Sequence, residues 1–410
     1  MIKELKERYH IDILLQDSKQ KCVSLLGLND EKARSVLKFH KSIPKYAMTP
    51  LVFLKGLSQE LGVRGIYIKN EPYRFGLKAF KGLGGSYAMF RILCNELGLD
   101  AKKTDFKDFQ KDEIRKKVSD FTFVTATDGN HGKGVSWAAK LFGCKAYVFM
   151  PKGSSKKRAE AIQNVGIASV TITELSYDET VRLAQEKSEQ QGWILIQDTA
   201  WKGYEKIPLW IVEGYLTMAA EAVSQLEEYG EIPTHVFLQA GVGAMAGSVS
   251  AYLKSYYQEK CPIISIVEPR EAACIYMSAK QSNGQVYSVE GLPQTIMAGL
   301  NCGTPCTLTW QVLRKLVSGY FSCPDFVAAY GMRRYANPAA SDEKIISGES
   351  GAVTLGLMEL LLDRKEFDEV KDKLGLGQES VILLFNTESD TDSESYTSII
   401  NDNMYPAPEF

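Results

Sequence analysis

The chain has 410 residues, 45 % hydrophobic, 10 % aromatic and 24 % charged, the proportions of an ordinary globular protein with room for two domains. Its 48 basic and 50 acidic residues leave a formal charge of −2, so no global field draws it to nucleic acid or an anionic membrane. Intrinsic disorder, collagen-like repeats and a small disulfide scaffold are excluded.

Met1–Asp17 carries Lys3, Glu4, Lys6, Glu7 and Arg8 and no apolar segment. No export signal is therefore expected, and the chain reads as cytoplasmic. The eight cysteines should then be mostly reduced, and with no Cys-x-x-Cys and four histidines no metal framework is expected. Gly65–Lys69 reads as a strand, followed by a loop and a helix from near Ala79. Leu99–Asp120 breaks the pattern with thirteen charged residues of both signs and reads as a solvated helical insertion. Phe121–Ala126 precedes a helix through Trp137, and Lys145–Met150 precedes one over Ser155–Val165. Ala168–Ile172 leads into Ser176-Tyr-Asp-Glu179, a capping box. Trp193–Gln197, His235–Gln239, Ile263–Glu268 and Val381–Phe385 are further runs of buried-strand length. Val236–Leu253 is uncharged and long enough for a membrane, but Gly241, Gly243, Gly247 and Gln239 mark it as strand, loop and buried helix. The acidic stretch Thr387–Phe410 is expected to dock at first and fray at its end. Strands alternating with helices predict an α/β protein with parallel sheets.

Three glycine-containing segments carry the chemistry. The first, Glu71–Ala88, sets Lys81 after a loop and at the start of an apolar helix, where a cation opposes the helix dipole. That placement lowers an amine's pKa and leaves it nucleophilic, as Schiff-base chemistry requires. The second, Thr125–Gly134, lies between strand and helix, and its turn can offer N–H groups to a carboxylate. Asn130 there can donate to and accept from a hydroxyl, and Asp128 adds negative charge; a plain turn is the alternative. The third, His235–Ala246, runs from strand through Gly241-Val-Gly243-Ala-Met-Ala246 into a helix, with Glu268 closing the next strand. It satisfies a dinucleotide fingerprint, yet such a turn takes any phosphate, and a tight turn without ligand fits as well.

In this order, Phe80-Lys81, Thr127-Asp128-Gly129-Asn130-His131 and Gly241–Gly247 fill the slots that mark fold type II (tryptophan synthase β-like) pyridoxal-phosphate enzymes. Among these the chain resembles the diaminopropionate ammonia-lyases, in Arg74–Lys81, Thr127–Gly132, Gln197–Tyr204, Leu238–Gly247, Thr295–Leu300, Ile346–Ala352 and Thr387–Asp392. The likeness runs from about Lys38 to Asp392. Two positions depart from the family pattern. Lys78 stands where Asn is common, and Asn386-Thr-Glu-Ser389-Asp-Thr-Asp392 replaces Ser-Thr-Glu-Gly-Asp-Thr-Asp.

The resemblance implies a two-domain α/β fold, with parallel sheets flanked by helices and the cofactor in the cleft. Residues 1–92 and 205–410 would form the large domain that binds pyridoxal phosphate, and 93–204 a small domain closing over the site. Pyridoxal 5′-phosphate would sit on Lys81, with its phosphate on Gly241, Val242, Gly243, Ala244 and Met245. Its ring hydroxyl would meet Asn130, and its pyridine nitrogen Asn386 or Thr387. Thr127, Asp128, Gly129, Asn130 and His131 would hold the substrate, and no metal is involved. The implied activity is elimination of ammonia from 2,3-diaminopropionate (D, L or both), giving pyruvate and two ammonia, in a homodimeric catabolic enzyme that takes a small amino acid. Asp128 would be the base for the D-isomer and Asp198 for the L-isomer. Asp128 as partner of a β-ammonium, and Asp198 as a helix cap, are the alternatives. Two rivals stay open. An NAD-dependent oxidoreductase would use Gly241–Ala246 and Glu268 but leave Lys81 and Asp128–His131 idle, and a non-catalytic regulatory or interaction protein on the same fold would keep the phosphate loop without needing both aspartates. Cys274 and Cys302 flank loops expected near the site, and are either a pair that bridges on oxidation or two unrelated thiols.

Overall fold

The longest apolar runs become the inner strands of two separate sheets in a computed structural model, which describes residues 8–17, 25–127, 129–291, 293–339 and 341–408. The strands are β1 (Asp12–Leu15), β2 (Leu51–Phe53), β3 (Gly65–Asn70), β4 (Thr122–Ala126), β5 (Lys145–Met150), β6 (Ser169–Ile172), β7 (Ile194–Leu195), β8 (His235–Gln239), β9 (Ile263–Pro269), β10 (Val317–Cys323) and β11 (Val381–Asn386). They belong to two compact units. One comprises Met1–Asn29, Thr49–Pro72 and Met218–Phe410, the other Asp30–Met48 and Tyr73–Thr217.

The larger unit holds a seven-stranded sheet in the order β1-β10-β9-β8-β11-β3-β2. Its inner pairs are parallel, and only the edge strands β1 and β2 run antiparallel to their neighbours. Every residue of β3, β8 and β11 is buried, which is why these strands read as near-continuous apolar runs. The sequence reading misses β1, β2 and β10. The first two are short edges, and β10 carries Ser318, Gly319 and Ser322 among its apolar residues. The Val236–Leu253 stretch folds as strand, turn and the helix Ala244–Tyr257, and no helix among the described residues is long and apolar enough to cross a membrane. The acidic tail docks through the helix Ser393–Asn401, and the Arg333 guanidinium donates to the carbonyls of Ile399, Met404 and Tyr405.

The smaller unit is built on a parallel four-stranded sheet, β6-β5-β4-β7. The capping box forms as read: Ser176 Oγ accepts from the Glu179 N–H, and Glu179 accepts from the Ser176 N–H at 2.9 Å. The contacts group more of the chain with this unit than the sequence reading expects. Helix Gly82–Glu96 packs against Lys206–Gly214 and Asn130–Phe142, and Asp30–Ser42 packs on it in turn. The charged segment after Leu99 is helical over Asp112–Val118 but is not merely solvated. Phe106 and Phe109 are buried against Phe142, with ring centroids at 5.7 and 5.1 Å, so two aromatics pin the insertion.

Candidate active site

In the smaller unit Lys81 occupies the N-cap of helix Gly82–Glu96, as its sequence context predicts. Gly134 makes this placement feasible. A Cβ there would come within 2.9 Å of the Lys81 carbonyl and 3.1 Å of the Gly82 nitrogen, so only glycine lets helix Asn130–Phe142 lie this close. Lys81 Nζ donates to Asp198 Oδ2, and the two side chains are 19 % and 8 % exposed. Lys78, the other lysine of the segment, is exposed and holds a φ of 57°.

Asp198 lies on the loop after β7, held from both sides. The Gln197 N–H donates to Tyr204 Oη at 2.9 Å, and that hydroxyl donates to the Leu195 carbonyl at 3.0 Å. The Gln197 side chain reaches back to β4, accepting from the Ala126 N–H and Thr125 Oγ1, and donates to Tyr177 Oη. The next helix, Lys206–Gly214, has Glu205 at its N-cap, so Asp198 is not a helix cap. Gln197 and Tyr204 lie in the same sequence motif as Asp198, but the motif alone assigns them no role. Two hydrogen-bonding side chains flanking the aspartate were the available signal.

His131 is buried beside this pair. Its Nε2 is 2.8 Å from the Ile196 carbonyl, and its Nδ1 is 3.8 Å from Asp198 Oδ2. Burial pushes the imidazole below its ordinary pKa, with the Lys81 charge acting the same way and Asp198 opposing. Burial would also disfavour the Asp198 carboxylate, but positive charge on His131 or Lys81 and the Lys81 hydrogen bond outweigh it. The carboxyl is held well below its usual range. With the imidazole neutral, Lys81 is the cation that keeps Asp198 ionised. Thr127 is buried, and its Oγ1 accepts from the N–H groups of Gly129 and Gly132 at 3.0 and 3.1 Å, so the hydroxyl shapes the turn expected to hold a carboxylate. Asp128 lies outside the described residues.

In the larger unit β8 runs through Gly241 into a turn capped by Gly243, whose φ of 86° is left-handed. A Cβ at Gly243 would meet Ile275 at 2.8 Å, so conformation and space both call for glycine. No side chain caps helix Ala244–Tyr257, which leaves its first turn able to face an anion. Glu268 is not free for a ribose. It is fully buried and accepts from the Ile275 and Tyr276 N–H groups at 2.8 and 2.7 Å, capping helix Cys274–Lys280. No disulfide joins Cys274 and Cys302. Cys274 Sγ lies 3.6 Å from the Gly241 carbonyl, and burial pushes its pKa well up.

The structure distinguishes Asn386 from Thr387. Asn386 Nδ2 donates to Asn70 Oδ1 and the Ile346 carbonyl, and its Oδ1 accepts from Ser347 Oγ. Its amide is spent on the fold. Thr387 Oγ1 accepts from Gln239 Nε2 at 2.8 Å, so its own proton can serve a ligand. Gln239 was not singled out by sequence as a site residue; a lone amide at the end of an apolar strand was the visible clue.

The pattern described as "pyridoxal-phosphate dependent enzyme" matches residues 43–376. A diaminopropionate ammonia-lyase of Salmonella typhimurium is 48 % identical over 375 residues, 91 % of this chain and 93 % of the relative. The chain belongs to the pyridoxal-phosphate-dependent enzymes, in the diaminopropionate ammonia-lyase family. Its fold matches crystal structures of the Escherichia coli diaminopropionate ammonia-lyase. With the holo enzyme the TM-score is 0.91 at 42 % identity, covering 98 % of this chain and 99 % of that one. With the complex holding an aminoacrylate-PLP azomethine reaction intermediate it is 0.88 at 43 %, covering 97 % and 99 %. A pyridoxal-phosphate-dependent enzyme needs an amine, an anion cradle and a partner for the ring nitrogen. Each unit carries chemistry that suits that group: the smaller has a lysine amine at a helix start, and the larger has a left-handed turn before a helix without a side-chain cap and a threonine hydroxyl that accepts from Gln239.

Proposed function

We propose that the chain eliminates ammonia from 2,3-diaminopropionate with pyridoxal phosphate as cofactor, releasing pyruvate and two ammonia. The observation that carries this reading is the Lys81–Asp198 pair. A lysine amine stands at a helix start against a buried carboxylate, in a chain nearly half identical to a diaminopropionate ammonia-lyase. Bound pyridoxal phosphate supplies the sink for negative charge at Cα.

The protein's own groups do the rest. Lys81 would hold the cofactor through its amine, and the N–H groups of Gly241, Val242, Gly243, Ala244 and Met245 would take its phosphate. Asn130 would meet the ring hydroxyl, and Thr387, whose Oγ1 accepts from Gln239, would meet the pyridine nitrogen; Asn386 is spent on hydrogen bonds to Asn70, Ile346 and Ser347. The turn at Thr127–Asn130 would bind the substrate carboxylate, and the His131 side chain is turned away from it, toward the Ile196 carbonyl. Asp198 takes the Cα proton of the L-isomer and Asp128 that of the D-isomer. A carboxylate at position 128 also complements the β-ammonium, which serine lacks. The enzyme acts as a cytoplasmic homodimer. The NAD reading loses its acidic residue, since Glu268 caps a helix.

The test is direct. Purified protein supplied with pyridoxal phosphate should turn yellow and release pyruvate from diaminopropionate, and borohydride should fix the cofactor on the Lys81 peptide. Fixation on Lys78, or colour without pyruvate, would overturn the assignment.

A further inference from the structure

The orientation of His131 is set by one strong contact. Its Nε2 faces the Ile196 carbonyl at 2.8 Å, and a carbonyl can only accept, so Nε2 carries a proton. In the neutral ring Nδ1 is then a bare lone pair. That atom is buried, has no hydrogen-bond partner among the described residues, and lies 3.8 Å from Asp198 Oδ2. A lone pair facing a carboxylate is an unfavourable pairing, and a buried unsatisfied acceptor needs a reason. The pairing becomes favourable once Asp198 carries a proton.

We propose that His131 is a positioning residue for Asp198, its Nδ1 accepting the hydrogen bond of the protonated carboxyl after the Cα proton has moved. This rests on Asp198 being the base for the L-isomer. The Cα–H bond breaks, its electron pair stays with the substrate, and an O–H bond forms on Asp198. The β-ammonium then departs as ammonia with the C–N pair, and Asp198 returns its proton to water as product leaves. Before the step Lys81 stabilises the carboxylate; after it His131 stabilises the acid. Among the described residues the other titratable group that senses Asp198 is Tyr204, whose hydroxyl burial keeps neutral. A carboxylate held low by Lys81 alone would be a poor base, and an acceptor placed for its protonated form corrects that.

The test uses the enzyme loaded with pyridoxal phosphate and labelled with nitrogen-15 in its four histidine rings, at positions 10, 40, 131 and 235. His131→Gln identifies the His131 signals. A proton on Nε2 with Nδ1 bare is expected, and in Asp198→Asn, whose amide N–H mimics the acid's O–H, Nδ1 should shift to a hydrogen-bonded acceptor. A proton resident on Nδ1 in the loaded wild type overturns the proposal. His131→Gln keeps a donor for Ile196 and should lower kcat on the L-isomer about tenfold, the weight of one hydrogen bond made only after proton transfer. KM should hold, and the acid limb of kcat should move to lower pH, because the protonated acid has lost its acceptor. A limb that moves up, or a loss confined to KM, overturns the proposal. Normal L-turnover in His131→Gln beside a crippled Asp198→Asn overturns it alone; normal L-turnover in Asp198→Asn overturns the base assignment too.

Discussion

Lys69 and Glu221 form an ion pair at 2.8 Å with both side chains fully shut off from solvent. Lys69 Nζ also donates to the Thr49 carbonyl and Gln225 Oε1, each at 2.7 Å. Thr49 Oγ1 in turn donates to Glu71 at 2.6 Å. Thr49, Glu71 and Glu221 lie within a few residues of where the chain enters or leaves the larger unit, so one buried polar cluster ties three crossing points together. Lys69→Met should lose about 3–5 kcal/mol, because it strands a buried carboxylate. Urea midpoints would show it. Lys69→Met with Glu221→Met should cost less than the single change, and a double variant as weak as the single would mean the pair is not what holds the cluster.

Lys78 holds a φ of 57°, a left-handed conformation that Asn tolerates and a long side chain does not. An Asn at this position would thus have a backbone reason. Lys78→Asn should raise stability by about 0.5–1 kcal/mol by relieving that strain and leave cofactor fixation on Lys81 intact. A lower denaturation midpoint would show instead that the lysine's contacts outweigh the strain.

Legibility in the sequence followed burial. β3, β8, β9 and β11 are buried on both faces and announced themselves as apolar runs, whereas β10 hid behind its serines and glycine. Lys69 sat unnoticed inside such a run, since a buried charge is invisible until its partner 152 positions away folds against it. Lys81 and the Gly241–Gly243 turn were readable because helix starts and left-handed turns are local. The roles of Tyr204 and Gln239 were not, because they act on Asp198 and Thr387 through contacts that only the tertiary fold creates. The two phenylalanines pinning the 99–120 insertion were outvoted by its charge.

Glu268 gives a pH dependence. Burial pushes its carboxyl up to about 8, with the Ile275 and Tyr276 N–H bonds pulling the other way. An unfolded glutamate ionises near 4.3, so between those values the folded chain holds one proton more than the unfolded. Stability then falls as pH rises through that window, by up to about 1.4 kcal/mol per pH unit from this group. Midpoints measured from pH 5 to 8 should decline, and Glu268→Gln should flatten the decline whatever its own starting stability. An unchanged slope in the variant would mean that Glu268 is ionised in the fold.

The two aspartates should separate the isomers. In the D- and L-substrates the Cα proton points to opposite faces of the cofactor plane, and a base must come within about 2.6–3.2 Å of the atom it deprotonates. One carboxylate cannot serve both faces without the substrate turning over. Asp198→Asn should therefore cripple turnover of the L-isomer and Asp128→Asn that of the D-isomer, each by at least the ~10²-fold typical of general base catalysis. Asparagine keeps the shape of an aspartate and can still hydrogen-bond, but it lacks the basicity. Pyruvate release measured separately on each isomer decides the matter. Equal losses on both isomers in Asp128→Asn would assign that carboxylate to the β-ammonium, which both substrates carry. If neither variant separates the isomers, Lys81, which donates to Asp198, becomes the base for the L-form, and Asp198 only holds that amine in place.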